Sequence, residues 1–278
     1  HFGGKAWNRY LDGGEKTTAD VTQNEVAGYV DFRQQLARWL TVDAGLRIDR
    51  HSQAGTQWIP QGGLSFALSK SAGLKAMIGK GFRFPTIREM YMFPPQNPDL
   101  KPERLMSYEL SYTQRLLDGV LSYGANVFFI DGSNMIMTVP VDGRPMNVNT
   151  GKVENWGVEG QIAWRIDASW SASANSSFLH MKYPVVAAPE HKLYGEVRFS
   201  RKRWTASTGI QYVHGLYTSV SPQTTENFVL WNADASFRAA KWLEAFVRGE
   251  NLLAQRYEIN AGFPMPRATV MIGANFTF

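Results

Sequence analysis

Residues 263–278 read FPMPRATVMIGANFTF. Ala268, Val270, Ile272, Ala274, Phe276 and Phe278 alternate here with Arg267, Thr269, Met271, Gly273, Asn275 and Thr277. A period of two sends successive side chains to opposite faces, so this stretch predicts a strand with one apolar and one mixed face. The same period recurs upstream. Leu40, Val42, Ala44, Leu46 and Ile48 alternate with Thr41, Asp43, Gly45, Arg47 and Asp49. Val158, Gly160, Ile162, Trp164 and Ile166 form another such row, as do Trp231, Ala233, Ala235 and Phe237.

About thirteen strands of roughly ten residues or more are predicted, long for ordinary sheets but suited to tilted membrane strands. They fall near 26–36, 39–51, 57–69, 73–84, 105–116, 119–131, 153–166, 169–182, 191–201, 204–217, 228–239, 242–253 and 264–278. Short turns alternate with long polar connections at 1–25, 50–57, 85–104, 132–152, 183–190, 218–227 and 254–263. Short turns on one side and long loops on the other are the rhythm of an outer-membrane β-barrel. No amphipathic helix competes.

The two faces decide between water and lipid. In a small soluble barrel the apolar face fills the core; in a membrane barrel it meets acyl chains and the polar face lines a wet lumen. Three features favour lipid. The strands are long. The polar face carries close opposite charges, such as Asp43 with Arg47 and Glu244 with Arg248. Aromatics gather beside the short turns (Trp39, Trp164, Trp170, Phe199, Trp204, Phe237 and Trp242), as at a membrane interface. The fold class expected is therefore all-β, a transmembrane antiparallel β-barrel. Thirteen is an odd count, whereas bacterial single-chain barrels have even counts. Residues 1–278 are therefore expected to be the C-terminal part of a longer barrel.

Composition narrows the function classes. There is no cysteine, hence no disulfide framework or thiolate metal site. No run of eighteen apolar residues and no signal-peptide pattern occurs. The +5 charge is spread along the chain, without the compact basic and aromatic motif of a nucleic-acid binder. No nucleophile elbow, His-Glu-x-x-His or phosphate loop is present, so no enzyme is expected.

The most specific stretch is Gly79 to Tyr112, GKGFRFPTIREMYMFPPQNPDLKPERLMSYELSY. Phe82-Arg83-Phe84-Pro85, then Asn97-Pro98-Asp99-Leu100-Lys101-Pro102-Glu103, then Ser107-Tyr108-Glu109 resemble the boxes of the TonB-dependent outer-membrane receptors. RGENLLAQRY (248–257) and the closing strand ending in Phe278 resemble the same family. The resemblance implies a barrel of about 22 strands, of which these are roughly the last thirteen. It implies a plug domain and a TonB-contacting N-terminal part, neither in this sequence. It implies localisation in the Gram-negative outer membrane, and Phe276 and Phe278 as the signal for the barrel-assembly machinery. Phe82, Arg83, Pro85, Asn97, Pro98, Leu100, Pro102 and Glu103 are the motif residues, read as shaping the loop, since proline holds itself and its predecessor extended.

The family's cargoes are ferric siderophores, haem, cobalamin and, in some branches, glycans. The residues expected at the ligand are Arg83, Arg88, Met90, Tyr91, Met92, Arg144, Tyr183, Tyr217 and Tyr257, since Arg and Tyr suit an anionic, partly aromatic metal chelate. The expected function is active import of a ferric siderophore or similar chelate. The alternatives are a cobalamin, haem or glycan importer, or a passive porin. Some haem receptors carry a His between the two boxes; Thr86 to Gln96 contains none. By this topology His1, His51, His180, His191 and His214 all fall at outer loops or outer strand ends. No resident cofactor is expected.

Overall fold

A computed structural model describes residues 2–8, 17–92 and 95–277. His1, Pro94 and Phe278 lie outside the described residues, so the proposed assembly signal is visible only through Phe276. The elements are β1 (Phe2–Asn8), β2 (Thr17–Gln23), β3 (Glu25–Ala37), β4 (Leu40–His51), β5 (Gly55–Ala67), β6 (Ala72–Arg83), α1 (Ile87–Tyr91), β7 (Glu103–Leu116), β8 (Leu121–Val141), β9 (Arg144–Arg165), β10 (Trp170–Met181), β11 (His191–Arg201), β12 (Trp204–Val220), β13 (Gln223–Ala240), β14 (Leu243–Glu250), β15 (Glu258–Asn260), β16 (Phe263–Pro264) and β17 (Thr269–Phe276).

Thirteen strands form one antiparallel sheet in the order β17-β14-β13-β12-β11-β10-β9-β8-β7-β6-β5-β4-β3. All thirteen predicted strands are present. β1 pairs with β2 where the sequence suggested only a loop. β8, β9, β12 and β13 run well past their expected ends, turning what read as loops at 132–152 and 218–227 into hairpin extensions. Asp142 and Gly143, both at positive φ, make the two-residue turn between β8 and β9. That Asp-Gly pair is the standard hairpin signal. Residues 85–104 hold the short helix α1 instead of a wholly irregular loop.

The chain divides into two compact units. One comprises His1–Ala67, Lys75–Leu110 and Phe128–Asn155; the other Leu68–Leu74, Ser111–Val127 and Trp156–Phe278. In the first, register pairs Leu40 with Phe66, Val42 with Leu64 and Ile48 with Trp58, so the apolar row of β4 continues across β5. In the second, Ala172, Val197, Thr208 and Ala233 fall in one line across four strands, with Ser173, Glu196, Gly209 and Asn232 on the opposite face.

The apolar rows are not folded into a dry core. Ile272 is 80% exposed, Val270 66% and Ile210 54%. The buried hydrophobic residues, among those described, are Met90, Leu100, Met181, Val213, Leu216, Tyr217 and Phe228, none of them from the middle of a predicted apolar row. This sheet must be covered by acyl chains. Among the described residues no helix is long and apolar enough to cross a membrane.

The lumen charges choose other partners than the sequence spacing suggested. Asp43 meets Arg33 across β3–β4 at 3.4 Å, Arg47 binds Asp49, and Glu244 lies 3.9 Å from Arg238 across β13–β14. Residues four apart on a strand are separated by about 13 Å, so the nearer partner is a directly opposite cross-strand neighbour, as for Asp43 and Glu244, or the residue two along on the same face, as Asp49 is for Arg47. The inner aromatic girdle forms as expected: Trp170 meets Phe199 at 4.9 Å, Trp204 meets Phe237 at 4.5 Å, and Trp39–Phe66 and Trp242–Phe276 stack at 6.1 Å.

Candidate functional site

The two motif boxes build one structure in the first unit, with Arg83 at its hub. Arg83 ends β6 and its guanidinium spans two carboxylates. Its Nη1 and Nη2 donate to Glu89 Oε2 and Oε1 at 2.8 and 2.9 Å, and its Nε donates to Glu103 Oε2 at 2.6 Å. A planar fork fits this bidentate geometry, which a lysine could not reproduce. Pro85 follows after Phe84 and is buried. Thr86 then caps α1: its Oγ1 accepts from Glu89 N at 3.2 Å, while the Glu89 carboxylate accepts from Thr86 N at 2.8 Å. This reciprocal capping box was legible as Thr-x-x-Glu. Burial alone would push the Glu89 carboxyl up, but Arg83 and the Thr86 donors outweigh it and hold the group below its ordinary value. Glu103 behaves likewise, burial being outweighed by Arg83 and the Ile136 N–H. Arg83 is raised further above its already high value by Glu103 and then Glu89.

The second box is fastened to the β8–β9 hairpin by two asparagines. Asn147 Nδ2 donates to Glu89 O, and Asn97 Nδ2 donates to Asn147 O, both at 2.8 Å. Asn149 Oδ1 accepts from Lys101 N at 2.7 Å, and its Nδ2 donates to Lys101 O and Asn134 O at 2.8 Å. Asn147 and Asn149 were missed in the sequence. Their one signal is that asparagine is depleted in strands, so two at alternate positions ask for a reason. Leu100 is 3% exposed and Pro102 is buried, so both sit beneath the loop.

Of the residues expected at a ligand, Arg83 is held by Glu89 and Glu103. Met90, 1% exposed, packs inside the loop. Tyr91 and Met92 are half-buried, and Arg88 and Arg144 are exposed. These six lie in the first unit. In the second unit Tyr183 is exposed. Tyr217 is buried and donates to Glu190 Oε1 at 2.9 Å. The Tyr257 and Phe228 rings meet tilted, with centroids 4.2 Å apart. Val213, Leu216 and Phe228, with Leu230, Tyr257 and Ile259, make a small apolar cluster. It seats the connection that carries β15 and β16, and Asn251 closes that connection through bonds to Gln255 and Pro266. Among the described residues no group of three His, Asp or Glu side chains could hold a metal ion.

The family described as TonB dependent receptor-like, beta-barrel matches residues 3–252. Among curated proteins, the vitamin B12 transporter BtuB of Vibrio vulnificus (strain YJ016) is 25% identical over 234 residues, covering 79% of this chain and 36% of that protein. The probable TonB-dependent siderophore receptor PirA of Acinetobacter baumannii is 26% identical over 153 residues, covering 46% of this chain and 20% of the relative. Among solved structures, a G324V mutant of the ferric enterobactin receptor PfeA of Pseudomonas aeruginosa superposes with a TM-score of 0.79 at 18% identity, over 95% of this chain and 46% of that one. The siderophore receptor PirA of Pseudomonas aeruginosa gives 0.76 at 20%, over 95% and 48%. These structures establish the likeness of fold. The chain spans about a quarter to a third of the curated B12 transporters it matches.

Proposed function

The chain belongs to the TonB-dependent receptor β-barrel family of the Gram-negative outer membrane, and from that membership we propose that it is the C-terminal part of the barrel of an active importer whose cargo is a ferric siderophore or a similar metal chelate. β3 and β17 stand at the two edges of the thirteen-stranded sheet, and in hydrocarbon each edge needs a further strand as partner. That supports a larger barrel, completed by strands from elsewhere in the receptor. A plug domain and a TonB-contacting segment belong to the same reading.

The observation that carries the cargo class is the built loop itself. Residues 85–92 and 95–103 are tied together by the Arg83 hub and the asparagine fasteners, and Arg88 and Tyr91 lie on α1 within that frame. A loop ordered in advance loses less entropy on binding. Arginine and tyrosine match an anionic, aromatic chelate. The solved structures with this fold include siderophore receptors, which favours the same class.

Cobalamin is the second reading, favoured by the curated B12 transporters among the relatives. Disruption of the gene in its own host, followed by uptake of radiolabelled ferric chelates and of cobalamin, separates the two. Loss of TonB-dependent ferric uptake supports the first reading, and loss of cobalamin uptake alone replaces it with the second. Uptake unchanged for both rejects the importer assignment.

A further inference from the structure

The short connections of the second unit stand side by side in one row. Arg115 N donates to Ser71 O and Arg165 N to Val120 O, both at 2.8 Å; Ser200 N donates to Ser169 O at 2.7 Å, and Arg238 N to Arg203 O at 2.8 Å. Each bond ties one turn to the strand end beside it, so the turns at 68–71, 117–120, 166–169, 202–203 and 241–242 form a continuous rim.

This rim is basic. Lys70 stands in the first turn, and Arg115 lies two residues before the second. Arg165 adjoins the third turn, Arg201, Lys202 and Arg203 run through the fourth, and Lys241 opens the fifth. All of these side chains are exposed. The carboxylates within the turns are Asp118 and Asp167, and Asp167 is engaged by its own turn, accepting from Ser169 N and Trp170 N at 2.6 and 2.9 Å. Arg238 and Glu244, beside the fifth turn, lie 3.9 Å apart and offset each other. The outer connections of the same unit show no such excess: Lys182, Lys192, Arg256 and Arg267 stand there with Glu190, Glu250 and Glu258.

We propose that this rim is a docking surface for the carboxylate-bearing polymer of the cell wall. Short turns face the periplasm in such barrels, and the wall that lies there carries carboxylates on its peptide stems. Neighbouring hairpins of a sheet lie about 10 Å apart, close to the Debye length of about 8 Å at physiological salt, so the fields of adjacent turns add along the rim. One exposed ion pair contributes little, so a partner gains from this row by carrying many anions on one chain. The arginine fork suits a carboxylate. Membrane headgroups fit the row less well. Arg165 alternates with Trp164 of the inner girdle and so lies on the lumen side, and Lys202, at φ 57°, is at the tip of its turn. Lipid packed around the outside meets Arg201, which is paired with the girdle residue Trp204, but not the whole row. The rim is a line of separate turn tips, unlike the packed apolar patch at the centre of a protein–protein interface. The surface does not depend on which cargo the receptor carries.

The test is co-sedimentation of the intact receptor, in detergent micelles, with purified cell-wall sacculi freed of bound protein by protease and hot detergent. Retention is expected at about 0.1 M salt and is expected to be lost near 1 M, where the Debye length falls to about 3 Å. Sacculi whose carboxylates have been amidated should retain several-fold less. Arg165→Gln/Arg201→Gln/Lys202→Gln/Arg203→Gln is expected to weaken retention by up to about fivefold per charge removed. Arg165→Lys/Arg201→Lys/Arg203→Lys, which keeps the charges, should keep most of it, with the heat shift on gels checking that both variants are assembled barrels. Equal retention on amidated sacculi overturns the proposal, as does full retention of the Gln variant. Retention only on sacculi that still carry protein assigns the rim to an acidic wall protein. A Gln variant that loses bound phosphatidylglycerol while keeping the sacculi assigns it to lipid. Either of these results also overturns the proposal.

Discussion

Arg83 shows how one motif residue fixes a loop. It donates to two carboxylates whose side chains are 25% and 15% exposed, while its own is 44% exposed. Removing it strands two partly desolvated anions beside each other. Arg83→Ala is expected to destabilise the loop by about 1–3 kcal/mol, less than a fully buried pair would cost because water already reaches the guanidinium. Hydrogen exchange across residues 86–103 of the intact receptor should quicken, and Arg83→Lys should restore only part of the protection, since an ammonium cannot span both acids. The sign of the pH effect follows from the same contacts. Glu89 and Glu103 are held below their ordinary values, so their contribution is complete above about pH 4.3. It is lost as pH falls through their lower folded-state values. Exchange protection of α1 is therefore expected to hold from neutral pH to about pH 5 and to fall below about pH 4.

At the scale of elements, the β8–β9 hairpin and the motif loop are one mechanical piece, because Asn147 and Asn149 reach from β9 to the backbone of Glu89, Lys101 and Asn134. Asn149→Ala leaves the Lys101 N–H and two carbonyls without that partner, a cost of about 1–3 kcal/mol. Limited proteolysis should then cut between residues 86 and 101 faster than in the parent. β14 and β17 carry a different device. The ring of Phe246 lies over Gly273 so closely that a Cβ there would meet Phe246 Cζ at 2.5 Å. Phe246 and Gly273 are directly paired, on the face that carries Glu244 and Arg248. Gly273→Val is expected to displace the ring and slow barrel assembly, visible as a larger fraction of heat-unmodified protein on gels. Phe246→Ala should relieve part of that defect if steric displacement is the cause.

For the molecule as a whole, the identity of the two faces is the governing fact. Ile210 belongs to an exposed apolar row, whereas its neighbour Gln211 points to the opposite face. Ile210→Arg should cost about 2–4 kcal/mol at mid-bilayer depth, with Gln211→Arg close to neutral. Assembly yield in bilayers of the intact receptor, compared for the two variants, checks this. Equal losses would mean that lipid does not contact the Ile210 row.

The period-two pattern by itself determined that the chain is made of some thirteen two-faced strands. The sequence also placed aromatics by the short turns, and the resemblance of Phe82 to Glu103 to the boxes of the TonB-dependent receptors marked a motif loop. Alternation is a local property, set by backbone geometry; Thr86-x-x-Glu89 and Asp142-Gly143 are local too, but the stretches that hold them were expected to be loops. Only the tertiary structure decided which charges pair, why Asn147 and Asn149 matter, that Met90 is interior while Arg88 is not, and that His191 of β11 falls opposite His214 of β12. Those facts depend on register between strands up to dozens of residues apart. The physical reason is that a strand carries its facing in its own composition, but a neighbour's identity arises only when two strands are hydrogen-bonded side by side.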